Sequence, residues 1–153
     1  MKGYILLLCL ITATFSSCRL KAPYDPVKQA KTDEASIENY IKAKGIKAVK
    51  DSSGIYYRVI KPGTDAHPTV NSTVTVNYKG ELLNGSVFDS ARGFSSPLAG
   101  LIPGWITGIP HIGNGGKILL LIPSAQGYGD NEAGSIPANS VLVFDIDLIG
   151  FTN

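Results

Sequence analysis

Five aromatic side chains are the residues of this sequence that best suit a small-ligand site. They belong to five separate segments, and two isoleucines, Ile102 and Ile136, lie close to two of them in the chain. If the segments converge, rings with a few polar tips would line an apolar pocket, the usual composition of a small-molecule site. Taken one at a time, each ring is better explained as an ordinary core residue. The five aromatics are Tyr78, Phe88, Trp105, Tyr128 and Phe144.

The same part of the chain offers no convincing set of residues for covalent or metal chemistry. A catalytic serine needs a histidine and a carboxylate beside it, and a metal needs several ligands at suitable spacing. The only histidines are His67, which precedes Pro68 in a predicted loop, and His111, which we interpret as structural. We therefore predict a site with no metal and no cofactor.

Short strands and one short helix must position the aromatic residues. Segment 72–78 alternates strictly between apolar and polar residues, as a half-buried strand does. Asn84-Gly85 is a strong hairpin signal, and Pro103 can open a helix over 104–109. We predict the α+β class, with an antiparallel five- to six-stranded curved sheet (a half-barrel) wrapped around the short helix. The predicted strands are 54–60, 72–78, 81–83, 86–89, 117–122 and 141–149.

The composition excludes several other classes of protein. The chain has 153 residues, of which 44% are hydrophobic and 17% charged, and its net charge is +2. It is therefore long enough for one domain plus an appendage, and it is neither disordered throughout nor basic enough to predict nucleic acid as a partner. From Gly54 onward the chain contains 15 of its 17 glycines and seven of its nine prolines. This distribution predicts a turn-rich domain over 52–153.

Residues 1–17 have the proportions of a secretory signal peptide. Residues 4–15 are almost purely apolar, but a membrane-spanning helix needs about 20 such residues. The sequence FSSC at 15–18 resembles the bacterial lipobox, although leucine is commonest where Phe15 stands. The motif predicts cleavage before Cys18, lipidation of its thiol and tethering of the mature chain to a membrane. The alternative is an ordinary secretory signal with a chance cysteine.

Residues 18–51 are predicted to be a tether that contains a short amphipathic helix. Thr32 or Asp33 can cap the helix, the prolines before it keep the chain extended, and Gly45 ends it. Its apolar stripe would pack on the domain or on a second copy of the chain, as a homodimer. The stripe consists of Ile37, Tyr40 and Ile41.

Six segments of the predicted domain resemble an FKBP-type peptidyl-prolyl isomerase. Each segment is short, but all six occur in family order and together cover about residues 54–151. With the N-terminal motif, the chain is similar to a bacterial lipoprotein form of this family. The segments are VTVNYKG at 74–80, NGSVFDS at 84–90, LIPGW at 101–105, GYG at 127–129, IPAN at 136–139 and LVFD at 142–145.

The resemblance implies that the aromatic set lines a proline-binding cleft. In similar proteins the indole at Trp105 forms the floor, the phenol at Tyr128 reaches a substrate carbonyl, and the backbone N–H at Ile102 is a second donor. The catalytic residues so implied are Tyr78, Asp89 and Tyr128. The substrate-binding residues are Phe88, Phe94, Leu101, Ile102, Trp105, Ile136 and Phe144.

Asp89 is the one charged residue that the resemblance places in the cleft, where its carboxylate would accept a hydrogen bond near the Tyr78 phenol. The alternative is that Asp89 simply begins a turn. Arg92 could pair with it, in an uncertain register. The stretch from Asp89 to Leu101 is shorter than in the eukaryotic single-domain members, which leaves the direction of Phe94 open and predicts weaker binding of the family's macrolide inhibitors.

The implied activity is cis–trans isomerisation of X–Pro bonds in exported or envelope proteins. The partners would be proline-containing polypeptides and, through the lipid anchor, a membrane. A second hypothesis keeps the same fold as a catalytically weak chaperone or binding module. The chain would reside in the bacterial cell envelope, at the outer membrane facing the periplasm, because Arg19 after Cys18 is not an acidic retention signal.

Overall fold

Residues 23–153 are described by a computed structural model in which one six-stranded sheet packs between two helices. The strand order is β1-β2-β5-β6-β3-β4, and all neighbouring pairs are antiparallel. The predicted α+β half-barrel is confirmed, while the predicted signal peptide and the predicted lipidation site at Cys18 lie outside the described residues. The strands are β1 (Val49–Lys50), β2 (Tyr56–Lys61), β3 (Thr73–Leu82), β4 (Val87–Pro97), β5 (Lys117–Ile122) and β6 (Leu142–Thr152), and the helices are α1 (Pro26–Lys44) and α2 (Pro103–Gly108).

One face of the sheet packs against α2. Side chains alternate along β5, so that Ile118, Leu120 and Ile122 all point to this face and are fully buried. The helix lies close to the sheet because two of its residues are glycines. A Cβ on Gly104 would lie 2.5 Å from the Ile122 side chain, and one on Gly108 would lie 2.6 Å from Leu120. These glycines therefore allow the close packing of α2 on β5.

The opposite face of the sheet is covered by α1. Ile37 is fully buried in a second apolar cluster with Tyr56 of β2, Leu121 of β5 and Val143 of β6. These sheet residues alternate with those that face α2, as the pleat of a strand requires. Of the two packings predicted for the apolar stripe of this helix, the structure shows the one within the chain.

The start of α1 differs from the prediction. Asp25 is the N-cap, and its carboxylate accepts hydrogen bonds from the N–H groups of the two residues after Pro26, both at 3.0 Å. Pro26 opens the helix instead of keeping the chain extended, since a proline at the first helical position loses no hydrogen bond. Thr32 lies inside the helix and Asp33 is buried. The end at Gly45, with φ +64°, is as predicted.

The β3–β4 hairpin is longer than predicted. Gly80, which lies between the predicted strands 72–78 and 81–83, pairs with Asp89 on one side and Phe144 on the other, so β3 is continuous. The second strand continues past Asp89 to Pro97 because its backbone stays paired with β3 through one register shift, between Ala91 and Phe94. β1 was not predicted. No helix within residues 23–153 is long and apolar enough to cross a membrane.

Candidate active site

Apart from Ile136, every residue of the domain that was predicted for the site lines one cleft. Its volume is about 240 Å³, which is at or below the lower end of small-molecule sites, roughly 300–1,000 Å³. The cleft therefore suits a group of a few carbon atoms. Ile136 is buried in the adjoining core and pairs with Ala133 in an isolated bridge. The lining residues are Tyr78, Phe88, Asp89, Phe94, Leu101, Ile102, Trp105, Tyr128 and Phe144.

Trp105 is the centre of the aromatic cluster. It is 4% exposed, and three rings meet it nearly at right angles. The ring centroids of Tyr78, Phe144 and Phe94 lie 5.0, 5.1 and 6.5 Å from that of the indole. Edge-to-face contacts of this kind are favourable and fix ring orientation. The indole N–H is buried and has no acceptor within residues 23–153.

Gly80 makes room for two rings of the cleft. A Cβ at this position would lie 2.6 Å from the Phe88 ring and 2.8 Å from the Phe144 ring. Those rings pack edge to face with centroids 5.5 Å apart. The sequence reasoning missed this role, although an isolated glycine within a strand pattern does indicate a close approach.

A bulge in β4 turns Phe94 into the cleft. Tyr78 pairs with Ala91 whereas Val76 pairs with Phe94, so β4 carries one extra residue between these pairs. Gly93 has φ +65° there, and its N–H donates to the Asn77 side chain at 2.8 Å. The extra residue shifts the alternation by one, which places Phe94 on the same face as Ala91 and resolves the direction left open by the sequence.

Tyr78 and Asp89 form the polar pair of the cleft. The Tyr78 hydroxyl donates to Asp89 Oδ2 at 2.6 Å, a short charge-assisted hydrogen bond. Burial, followed by this hydrogen bond and the nearby negative charge, raises the pKa of Tyr78 from 10.0 to about 12. The phenol therefore stays protonated and keeps Asp89 oriented. Asp89 is part of β4, so the alternative of a simple turn residue is wrong.

Besides the buried indole N–H of Trp105, two hydrogen-bond donors at the cleft have no partner within the described part of the chain. Tyr128 is 39% exposed in the loop between β5 and β6. Ile102 is the residue just before α2, in an extended conformation that leaves its N–H outside the helical ladder. A phenol and an amide N–H are therefore free to meet carbonyl groups of a bound chain.

The remaining predicted residues lie away from the cleft. Within residues 23–153 no ion pair joins Arg92 to Asp89. Arg92 instead lines a charged groove of about 520 Å³ on the other face of the sheet, where Lys117 pairs with Asp145 at 2.8 Å. Ion-paired, solvated charges do not suit an apolar ligand. His111 stacks on the Tyr57 ring with centroids 3.9 Å apart, in keeping with a structural role.

The described residues that line this cleft do not supply the groups that covalent or metal chemistry needs. Asp89 is the only carboxylate among the lining residues, and neither histidine lines it. In the described range, 23–153, no cluster of three or more His, Cys, Asp and Glu side chains could hold a metal ion. What the arrangement can do is to hold an apolar group against Trp105 and donate hydrogen bonds to polar groups beside it.

Known proteins with similar sequences all point to one family. The model of the family described as FKBP-type peptidyl-prolyl cis-trans isomerase matches residues 64–149. The FKBP-type peptidyl-prolyl cis-trans isomerase FkpA of Escherichia coli K12 is 38% identical over 138 residues, which are 88% of this chain and 50% of that protein. FkpA of Aeromonas hydrophila is 41% identical over 135 residues, 86% of this chain and 50% of that protein. The chain thus spans about half the length of these relatives.

Solved structures agree with the sequence comparison. The crystal structure of FkpA from Escherichia coli has a TM-score of 0.72 and 37% identity, covering 82% of this chain and 62% of that one. A peptidyl-prolyl cis-trans isomerase from Pseudomonas syringae has a TM-score of 0.70 and 30% identity, covering 85% of this chain and 98% of that one. The second comparison shows that a chain of similar extent adopts this fold.

Proposed function

Because the chain belongs to the FKBP-type peptidyl-prolyl cis-trans isomerase family, we propose that its cleft binds a proline side chain and accelerates rotation about the preceding peptide bond. The observation that carries this proposal is the small aromatic cleft over Trp105 with the Tyr78–Asp89 pair at its side. The substrates would be proline-containing polypeptides.

The proposed reaction breaks no covalent bond. Rotation about a peptide bond must overcome about 18–20 kcal/mol of barrier because amide resonance is lost in the twisted state. Uncatalysed X–Pro rotation takes about tens to hundreds of seconds. At about 1.4 kcal/mol per tenfold, a reduction of about 5–6 kcal/mol brings it into the millisecond range.

The cleft supplies two contributions to that reduction. Its apolar rings replace water around the amide and so disfavour the charge-separated resonance form of the planar bond. The Tyr128 hydroxyl and the Ile102 N–H would hold substrate carbonyls in the twisted geometry better than in either planar one. Asp89, oriented by the Tyr78 hydroxyl, would polarise the carbonyl that turns.

A protease-free assay on a labelled Xaa-Pro peptide tests this proposal. We expect wild-type protein to accelerate the cis-to-trans relaxation, and Asp89→Ala and Tyr128→Phe to lower kcat/KM by about ten- to a hundredfold, because a lost hydrogen-bond partner costs about 1–3 kcal/mol and each tenfold corresponds to about 1.4 kcal/mol. Arg92→Ala is the matched control, since Arg92 lies in the bulge of β4 but does not line the cleft. No acceleration by the wild-type protein would overturn the isomerase proposal.

The binding-module hypothesis receives less support. An N-terminal helix that holds clients or a second copy of the chain would favour it, but Ile37 in the apolar stripe of this helix is fully buried against the sheet. A chaperone without isomerase activity would also have no need of the Tyr78–Asp89 hydrogen bond. The same assay separates the two hypotheses, because a pure binding module would bind the peptide without changing its relaxation rate.

We further propose that the mature chain begins at Cys18 and is anchored by lipid in a bacterial envelope, at the outer membrane facing the periplasm. The support is the apolar run and the FSSC motif at 15–18, together with relatives from bacteria. Residues 1–17 would be removed, 18–51 would include the tether, and 52–153 would form the isomerase domain. Labelled palmitate should enter the wild-type chain and not a Cys18→Ser variant, which should leave the membrane fraction. Equal labelling of both would contradict the anchor.

A further inference from the structure

Asp33 of α1 carries a buried carboxylate that the proposed mechanism does not use. It is 2% exposed, and within residues 23–153 no cationic side chain pairs with it. Its Oδ2 accepts from the N–H of Ser124 at 2.8 Å and from the Ser124 hydroxyl at 2.6 Å. Its Oδ1 accepts from the Gln29 side-chain amide at 2.7 Å. Burial of a carboxylate without a cation is costly, so these three donors must offset most of the cost.

Ser124 connects this carboxylate to the cleft. It is fully buried at the start of the loop that follows β5. Its carbonyl oxygen accepts from the N–H of Gly127 at 2.9 Å and from the N–H of Gly129 at 2.8 Å, and these glycines flank Tyr128. An unbroken series of hydrogen bonds therefore runs from α1 to the backbone on both sides of Tyr128.

Tyr128 depends on its backbone for its position. Its side chain is 39% exposed, and its hydroxyl has no partner within the described residues. Gly129, at φ +64°, lets the chain turn directly after it. A residue flanked by two glycines and held by no side-chain hydrogen bond would sample many positions unless the loop were anchored elsewhere.

We propose that Asp33 is a positioning residue that holds Tyr128 in place for isomerisation, which makes α1 part of the catalytic unit. The helix lies outside residues 64–149, the part that matches the family. Simple packing does not account for the carboxylate, because Ile37, one turn further along, already supplies the apolar contact and an apolar residue at 33 would avoid the desolvation cost. The inference rests on the proposed function of the cleft.

The kinetics of three variants of the full chain test the proposal, two at Asp33 and one at Ser124. Asp33→Ala should lower kcat/KM about tenfold, mainly through kcat, because a small misplacement of a binding group reduces rate strongly. Asp33→Asn should recover part of the loss, since its side-chain oxygen can still accept from Ser124, and Ser124→Ala should give an intermediate loss. Ile37→Ala is the matched control, expected to lower Tm but to leave kcat/KM within about twofold well below Tm.

Combination with Tyr128→Phe decides whether Asp33 acts through Tyr128. If it does, Asp33→Ala causes little further loss of kcat/KM in the Tyr128→Phe background, because residues that act as a unit are not additive. The proposal would be overturned if the losses of kcat/KM caused by Asp33→Ala and Tyr128→Phe multiply in the double variant. It would also be overturned if Asp33→Ala and Ile37→Ala lose activity equally. Should Asp33→Ala fail to fold, Asp33→Asn and Ser124→Ala carry the same comparison.

Amide hydrogen exchange separates this inference from the proposed function. In Asp33→Ala the amides of Gly127 and Gly129 should exchange about tenfold or more faster than in wild type, without any substrate present. Ile37→Ala should not single out these two amides. If the Gly127 and Gly129 amides exchange at the wild-type rate in Asp33→Ala, the positioning role is overturned, even if the wild-type protein is an active isomerase. The isomerase proposal itself is overturned only if the wild-type protein is inactive.

Discussion

At the scale of single residues, the Tyr78–Asp89 hydrogen bond combines three properties of the cleft. It satisfies a partly buried hydroxyl, it directs a carboxylate toward the aromatic rings, and it adds to the effect of burial, the larger cause, in raising the pKa of the phenol to about 12. Neither residue reaches this arrangement alone, because Tyr78 belongs to β3 and Asp89 to β4. The pairing of the two strands brings them together.

Tyr78 should make the protein sensitive to alkali. Since its pKa is raised from 10.0 to about 12 in the folded state, its contribution to stability is complete below pH 10 and is lost as the pH rises toward 12. Urea unfolding at a series of alkaline pH values should show that Tyr78→Phe loses less unfolding free energy between pH 10 and pH 12 than wild type does. Asp89→Asn should lose less unfolding free energy than wild type and complete the loss at lower pH, because without the negative charge the folded-state pKa of Tyr78 is raised less while burial remains. Identical curves for wild type and Tyr78→Phe would contradict the assignment.

Gly80→Ala should disturb the cleft through packing. The added Cβ would lie 2.6 Å from the Phe88 ring, so a ring or the strand must shift, at a cost of about 1–3 kcal/mol in unfolding free energy. Gly100→Ala is the matched control, because its Cβ would meet nothing within 4 Å, and it should change stability by no more than about 0.5 kcal/mol. Equilibrium denaturation of both variants measures the difference, and equal stabilities would rule out the crowding.

At the scale of elements, α1 shows how local signals can conflict. Thr32 and Asp33 both have the chemistry of an N-cap, and so does Asp25 before Pro26. The structure uses Asp25, because a helix that begins there includes Gln29, whose side chain donates to the Asp33 carboxylate that is bound to Ser124. Tertiary contacts therefore select among several acceptable starting points.

Two alanine substitutions distinguish the observed start of α1 from the predicted start at Thr32 or Asp33. Asp25→Ala removes the side-chain oxygen that caps two N–H groups and should lower unfolding free energy by about 1 kcal/mol. Thr32→Ala lies inside the helix on its exposed side, where alanine is the better helix former, and should be neutral or slightly stabilising. Thermal melts followed by circular dichroism measure both stabilities. If Thr32→Ala were the less stable of the two variants, the helix would start near Thr32.

At the scale of the whole molecule, the sheet has two apolar faces and each has its own cover. α2 covers the face that carries the cleft, and α1 covers the cluster around Ile37, Tyr56 and Leu121. The residues that match the family, 64–149, include neither α1 nor β2, although β2 pairs with β5 along its length. The folding unit is therefore larger than the matched segment.

Truncation tests the size of that unit. A chain of residues 23–153 should melt cooperatively, whereas one of residues 46–153 should lose much stability and tend to aggregate, since the second cluster is then exposed. A chain limited to 64–149 should fail to fold, because it also lacks the strand that pairs with β5. Calorimetry of the three chains checks the order, and equal melting temperatures for the first two would show that α1 is dispensable.

Local patterns predicted the class of fold and most members of the cleft. Alternation identified 72–78 and 141–149 as strands, a proline marked the start of α2, and the six short motifs contained eight of the nine lining residues, all but Phe94, because these signals depend on neighbours in the chain. Long-range contacts decided the rest. Strand pairing produced the bulge that turns Phe94 inward and the crowding that requires glycine at position 80, and the packing of α1 on the loop after β5 buries Asp33 against Ser124. Each of these joins residues distant in sequence, and only packing determines which distant residues meet.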